Sequence, residues 1–123
     1  MSSTQSPLVP AEDVKRQLQR ILDHPSFRQA NRISQMLRFV VEETLAGRGA
    51  ELKQYTVAVR GLGLPAQFDP QDNALIRIHA RRLRQMLEHY YQEAGRADPV
   101  RITLDRGGYV PLLRWNTTLG DGP

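Results

Sequence analysis

Between Asn73 and Glu93 the chain reads NALIRIHARRLRQMLEHYYQE, and its apolar residues recur with the period of a helix. At about 100° per residue, Ile76, Ala80, Leu83, Leu87 and Tyr90 share one stripe, the pattern of an amphipathic helix with one buried face. The opposite face carries Ile78, Arg81, Arg82 and Gln85, while Arg77 and Arg84 lie together on one flank. Four arginines fall between Arg77 and Arg84, and no acid occurs from Asn73 until Glu88. A helix that needs only solubility interleaves both signs, so that oppositely charged neighbours one turn apart can pair. This stretch does not, and its N-terminal half is shaped to meet an anion.

The residues C-terminal to this helix sharpen the point. Beyond Gly95, the runs VRITL and YVPLL flank DRGG. Two β-prone runs around a glycine-containing turn predict a hairpin with Arg106 at its tip. Val100, Ile102 and Leu104 alternate with Arg101 and Thr103, which defines one inward face. Pro111 cannot donate to a ladder on both sides, so the second strand is read as an edge. A basic helix leading directly into a hairpin with a basic tip implies a winged helix, with the helix in the major groove and the wing at the backbone or minor groove. The expected fold class is therefore mainly α with a small β-hairpin: a winged helix-turn-helix with two extra N-terminal helices.

Ahead of this unit, residues 1–9 are rich in Ser, Thr, Gln and Pro and are expected to be a disordered lead-in. A first helix begins after Pro10, with Val14, Leu18, Ile21 and Leu22 inward, and ends at His24-Pro25. Asn31 can cap a second helix running to about Gly47, with Ile33, Met36, Leu37, Val40, Val41 and Thr44 inward. Phe39 points away from that stripe, either to be covered by the hairpin or to sit at a subunit contact. Residues 52–62 read as a third helix with Tyr55, Ala58, Val59 and Leu62 inward, although the Val and Thr content also suits a strand. A connector with a buried-looking Phe68 leads to Asp72 or Asn73 as the cap of the main helix. The expected organisation is one DNA-binding domain over 10–114 and a flexible tail over 115–123.

Composition bounds the chemistry. At 123 residues the chain suits a single core. A formal charge of +4 is only mildly basic, so the clustering of arginine, more than the total, implies a polyanionic partner. There is no cysteine, which excludes thiolate catalysis, disulfides and Cys-ligated zinc, and suits a reducing cytoplasm. No apolar run approaches the ~20 residues of a membrane span, and the N-terminus lacks the pattern of a signal peptide. His24, His79 and His89 lack metal-ligand spacing, and no paired carboxylates or nucleophile–base set stands out. Gly61 and Gly63 lack the strand–loop–helix context of a phosphate-binding fingerprint. Neither a cofactor nor enzymatic activity is expected.

The pieces RIHARRLRQML and VRITLDRGGYVPLL resemble the C-terminal half of OmpR/PhoB-type winged-helix DNA-binding domains. A wider set is similar to the winged-helix module of bacterial regulators with adenylate-cyclase, TPR or TolB-like partner domains. That set is FVVEETLAG, LKQYTVAV, FDPQDNALIRIHARRLR, EHYYQEAG and DPVRITLDRGGYVP, and it spans roughly residues 14–113. OmpR/PhoB domains begin with a small antiparallel sheet where this chain begins with helices, and the wing turn here is about one residue shorter. The resemblance implies a base-facing apolar residue at Ile78, phosphate and base contacts at His79, Arg81, Arg82 and Arg84, and a wing arginine at Arg106.

Arginine suits base reading because its planar fork reaches guanine O6 and N7 together, worth about 1–3 kcal/mol of discrimination for a good bidentate pair. Arg82, central on the outer face, is the expected base reader, flanked by Gln85 and Ile78. Arg77, Arg81, Arg84 and Arg106 are expected at phosphates or in the minor groove, which position without specifying. The expectation is a sequence-specific double-stranded DNA-binding regulator, a repressor, in the cytoplasm at the bacterial nucleoid. It would act as a homodimer or in tandem on repeated half-sites, with Phe39 and Phe68 as candidate contacts between copies. A protein-interaction module on the same scaffold, and a non-specific architectural DNA-binding protein, are the alternatives.

Overall fold

The structure is a computed structural model and describes residues 9–65 and 70–116. Helix α1 (Ala11–Asp23) begins after Pro10, carries Glu12 and Asp13 in its first turn and buries Val14, Gln17, Leu18, Ile21 and Leu22. The acids face the positive end of the helix dipole, and the apolar members repeat at one face as the sequence requires. Pro25 forces His24 into extended backbone and ends the helix. The same proline opens a single extra turn, α2 (Pro25–Arg28), which the apolar pattern does not announce because it buries only Phe27.

Helix α3 (Asn31–Leu45) buries Ile33, Met36, Leu37, Val40 and Val41 as expected, and also Glu43. Asn31 is its first helical residue and not its cap; Ala30 precedes it, with no side-chain capping bond. The turn is held instead by Ser34 Oγ, which donates to the Phe27 carbonyl at 2.6 Å. Phe39 is half-buried against the core. A Cβ on Gly61 would lie 2.8 Å from Phe39 Cδ2, so the ring rests directly on that glycine. Neither the hairpin nor an open subunit contact is needed to account for it.

The third helix expected from the sequence is shorter and differently wound. A 3₁₀ turn (Gly49–Glu51) leads to α4 (Gln54–Thr56), which continues as a π turn over Val57–Gly61. Leu62 N donates to Val57 O at 3.0 Å, a five-residue closure that places more residues in a turn than a 3.6 period assumes. The inward face shifts accordingly. Val57, Ala58 and Leu62 are buried, whereas Tyr55, expected inside, is 54% exposed.

Helix α5 (Pro70–Gln92) starts three residues before Asn73, so Asp72 and Asn73 lie within its first turn instead of capping it; proline at the first helical position is the physical reason. Ile76, Ala80, Leu83, Leu87 and Tyr90 are all buried, as their spacing requires, and Tyr91 joins them. Each fully buried apolar side chain of this size contributes about 1.5–3 kcal/mol. Phe68 lies outside the described residues.

Strands β1 (Val100–Leu104) and β2 (Pro111–Trp115) form an antiparallel pair, with Val100 opposite Trp115 and Leu104 opposite Pro111. The side of β1 away from β2 is closed by one hydroxyl. Tyr91 Oη donates to Val100 O at 2.8 Å and accepts from Ile102 N at 2.9 Å. Helix α5 packs against α3 and β1, and α1 packs against β1, so one core serves the helices and the hairpin. Packing extends past both expected domain boundaries. Val9 is buried, Trp115 is the last residue of β2, and Asn116 is buried with its side chain donating to Asp98 O at 2.9 Å. Among the described residues, no helix is long and apolar enough to cross a membrane.

Candidate nucleic-acid interface

Because α5 turns its apolar stripe inward, its remaining faces present charge. Arg77, Arg81, Arg82 and Gln85 are exposed, and Arg84 is half-buried. Ile78 stands among them at 56% exposure, an apolar side chain that the fold leaves uncovered. Leu75, one turn earlier, is also exposed. Sequence reasoning missed it, although its spacing of three from Ile78 puts both on one surface.

The hairpin stands beside the Arg77–Arg81–Arg84 flank. Arg84 Nη1 donates to the Asp105 carbonyl at 3.4 Å, a long bond joining α5 to the hairpin turn. A groove of about 660 Å³ opens between them, with Arg81, Arg84, Gln85 and Glu88 on one wall and Asp105 and Arg106 on the other. Its acids temper its cations. A smaller hollow of about 210 Å³ lies nearer the start of α5, lined by Gln54, Arg77, Arg84, Gly107, Gly108 and Tyr109, and includes no acid. Burial pushes the Tyr109 phenol above its ordinary value, with Arg77 and Arg84 pulling the other way. At neutral pH that hydroxyl keeps its proton and can donate to an anion held in the hollow that Arg77 and Arg84 also line. Gly107 adopts φ 80°, which a glycine takes without strain and which turns the chain at the hairpin end.

The arginines differ in their pairing and in their grouping. Arg16, Arg20, Arg38, Arg48 and Arg60 each form an ion pair with an aspartate or glutamate. Among the described residues, Arg28, Arg32, Arg96, Arg101 and Arg114 form none, and neither do Arg77, Arg81, Arg82, Arg84 and Arg106, which differ from those five in lying together on α5 and the hairpin turn. Arg48 grips Glu43 through two bonds of 2.8 and 2.9 Å, and Arg60 adds a third at 3.4 Å. The Arg48 hydrogen bonds hold the Glu43 carboxyl below the ordinary carboxylate value against the effect of burial.

His79 occupies a different position from its arginine neighbours. It is half-buried on the side of α5 away from the hairpin, and burial, with the nearby Arg32 guanidinium, lowers its pKa. At neutral pH it is an uncharged imidazole and adds nothing to the positive field. The structure thus gathers Arg77, Arg81, Arg84, Gln85 and Arg106 around the hairpin side, and leaves Ile78 and Arg82 on the outer face. Among the described residues, no three His, Asp or Glu side chains are grouped to hold a metal ion. Set against protein-family models, curated proteins and solved structures, the chain matches none.

Proposed function

We propose that the protein is a sequence-specific double-stranded DNA-binding regulator of the winged-helix kind, with α5 in the major groove and the hairpin as its wing. The observation that carries this reading is the gathering of five arginines, Arg77, Arg81, Arg82, Arg84 and Arg106, along α5 and the hairpin turn with no ion pair among the described residues. An unneutralised row of guanidiniums has a self-repulsion that a polyanion relieves, and its release of counterions from DNA supplies most of the binding energy. Arg82 and Ile78 on the outer face, with Gln85 at the rim of the groove beside them, then meet base edges. Arg77 and Arg84, which line one hollow with Tyr109, suit a backbone phosphate, and Arg106 suits the backbone or minor groove beside it. One such module reads few bases, so a pair of copies on repeated half-sites completes the reading.

The test is a titration of labelled duplex with purified protein over a range of salt. Binding that weakens steeply and linearly on a log–log scale, with a slope that drops by about 0.9 for each phosphate-contacting arginine removed, supports the proposal. Binding that ignores salt would sink it.

A second reading draws on the hairpin itself. Val110, Leu112 and Trp115 are exposed there, and apolar groups on an edge strand favour a protein partner. On that reading, substitution of those three residues abolishes partner binding and leaves any duplex binding intact.

A further inference from the structure

Asp98 sits where α1, the C-terminal end of α5 and the base of the hairpin meet. It lies between α5 and β1, with Pro99 between it and the first residue of the strand. Its side chain is buried, yet donors from two helices converge on its carboxylate. Gln17 Nε2 of α1 donates at 2.8 Å, Arg20 Nη1 of α1 at 3.1 Å, and the Tyr90 hydroxyl of α5 donates to the same oxygen as Gln17. The Asp98 carbonyl in turn accepts from Asn116 Nδ2 at 2.9 Å, while Asn116 N donates to Pro99 O at 2.9 Å, just past the end of β2. One residue therefore ties α1 and α5 to both strand ends.

Packing alone would not need this arrangement, because apolar side chains of the same volume fill a core as well as a buried ionic group does. Directional bonds add a fixed angle. The angle here is the one between α5 and the hairpin, whose far end carries Arg106. At that far end, an open groove separates the two elements, and the hydrogen bond joining them among the described residues is the long one from Arg84 to Asp105. The base of the hairpin is thus held by the Asp98 cluster, while its tip is held loosely.

We infer that Asp98 is a positioning residue for DNA binding: by locking the hairpin base against α1 and α5, it sets where Arg106 stands relative to the arginines of α5. The inference rests on the DNA-binding reading above and names a residue remote from the DNA-facing surface.

Asp98→Asn gives a test whose sign is informative. Removing a negative charge from a DNA-binding protein, by charge alone, strengthens binding to a polyanion. The inference predicts the opposite. Affinity for duplex falls on the order of tenfold, the value of one charge-assisted hydrogen bond lost at the tip. The salt slope becomes shallower by about 0.9, one phosphate's share. A merely structural role would lower the melting temperature but leave the slope of the folded protein unchanged. Arg106→Ala should reproduce both changes. Combined with Asp98→Asn it should add little, whereas Arg82→Ala combined with Asp98→Asn should lose the sum of the two effects. Tyr90→Phe keeps the carboxylate, removes one donor, and weakens binding in the same direction; it carries the test where Asp98→Asn does not fold. Folded variants that bind as tightly as the parent, with its full slope, overturn the inference. A parent protein that binds no duplex at all overturns the DNA-binding reading, and the inference with it.

Discussion

Arg48 and Arg60 share Glu43, a carboxylate only 7% exposed, whereas Arg77, Arg81, Arg82 and Arg84 reach no acid among the described residues. The first pair ties the end of α3 to the π turn after α4. The second group lies along one helix and forms no ion pair among the described residues. The same side chain is a fastener in one region and the source of an open positive field in the other. Removal of an arginine should therefore be read in two separate measurements, stability in the first region and affinity for a polyanion in the second.

The largest expected effect comes from replacing Arg77, Arg81, Arg82 and Arg84 together by glutamine. If Arg77, Arg81 and Arg84 each hold a phosphate and Arg82 a base, the salt slope falls by roughly 3 and duplex binding is lost at physiological salt. Arg77, Arg81 and Arg82 are exposed and should each cost under about 0.5 kcal/mol of stability, with the larger share of any loss falling to half-buried Arg84, which gives up its bond to Asp105. A large fall in melting temperature would erase the contrast between the two regions. Next in size is Arg82→Ala alone, which should relax preference at one base pair by about 1–3 kcal/mol while other positions keep theirs. Unchanged preference would show that Arg82 is not the base reader. Arg48→Ala should do the reverse, lowering the melting temperature and leaving the salt slope untouched, because Glu43 stays buried without its bidentate partner.

Acid sharpens the same contrast. Folding holds the carboxyls of Glu43 and Asp98 below their ordinary values of 4.5 and 3.8. For Asp98, burial pushes upward, but hydrogen bonds from Tyr90, Gln17 and Arg20 outweigh it. The unfolded chain therefore binds these protons first. Their stabilisation is complete above the ordinary values and is lost as pH falls through the lower folded ones. His79, also lowered by folding, begins a separate loss below its ordinary value of 6.5. Melting measured from pH 7 to pH 3 should show a decline that steepens below about pH 5, and Asp98→Asn should flatten part of it. The smallest effect is Arg38→Ala. Its pairing with Glu42 is 3.9 Å long between two exposed side chains, so calorimetry should find a change under about 0.5 kcal/mol.

Much of this architecture was legible from periodicity. The inward stripes of α1 and α5, that of α3 up to Val41, and the alternation of Val100, Ile102 and Leu104 lie where spacing placed them, whereas Thr44 is half-buried and Glu43 takes the inward position. Those segments obey one regular period over several turns. The failures fall where the period changes or where a single contact decides. The π turn shifted the face of α4 and exposed Tyr55. The single turn of α2 was too short to show a pattern. Asn31 looked like a cap because residue type alone does not fix where a helix starts. The arginine face was readable because an absence of acids over many residues is a sequence property. The Asp98 cluster was not, since Gln17, Arg20, Tyr90 and Asn116 are far apart in the chain and only the fold brings them to one residue.

We propose that the arginine face of α5, without an ion pair among the described residues, reads duplex DNA. The most direct test is selection of bound duplexes from a random pool at near-physiological salt, run in parallel with Arg82→Ala. The expected result is enrichment of a repeated motif whose spacing gives the symmetry of the bound copies, with one position of that motif relaxed in the variant. Retention of no duplex by the parent protein would contradict it.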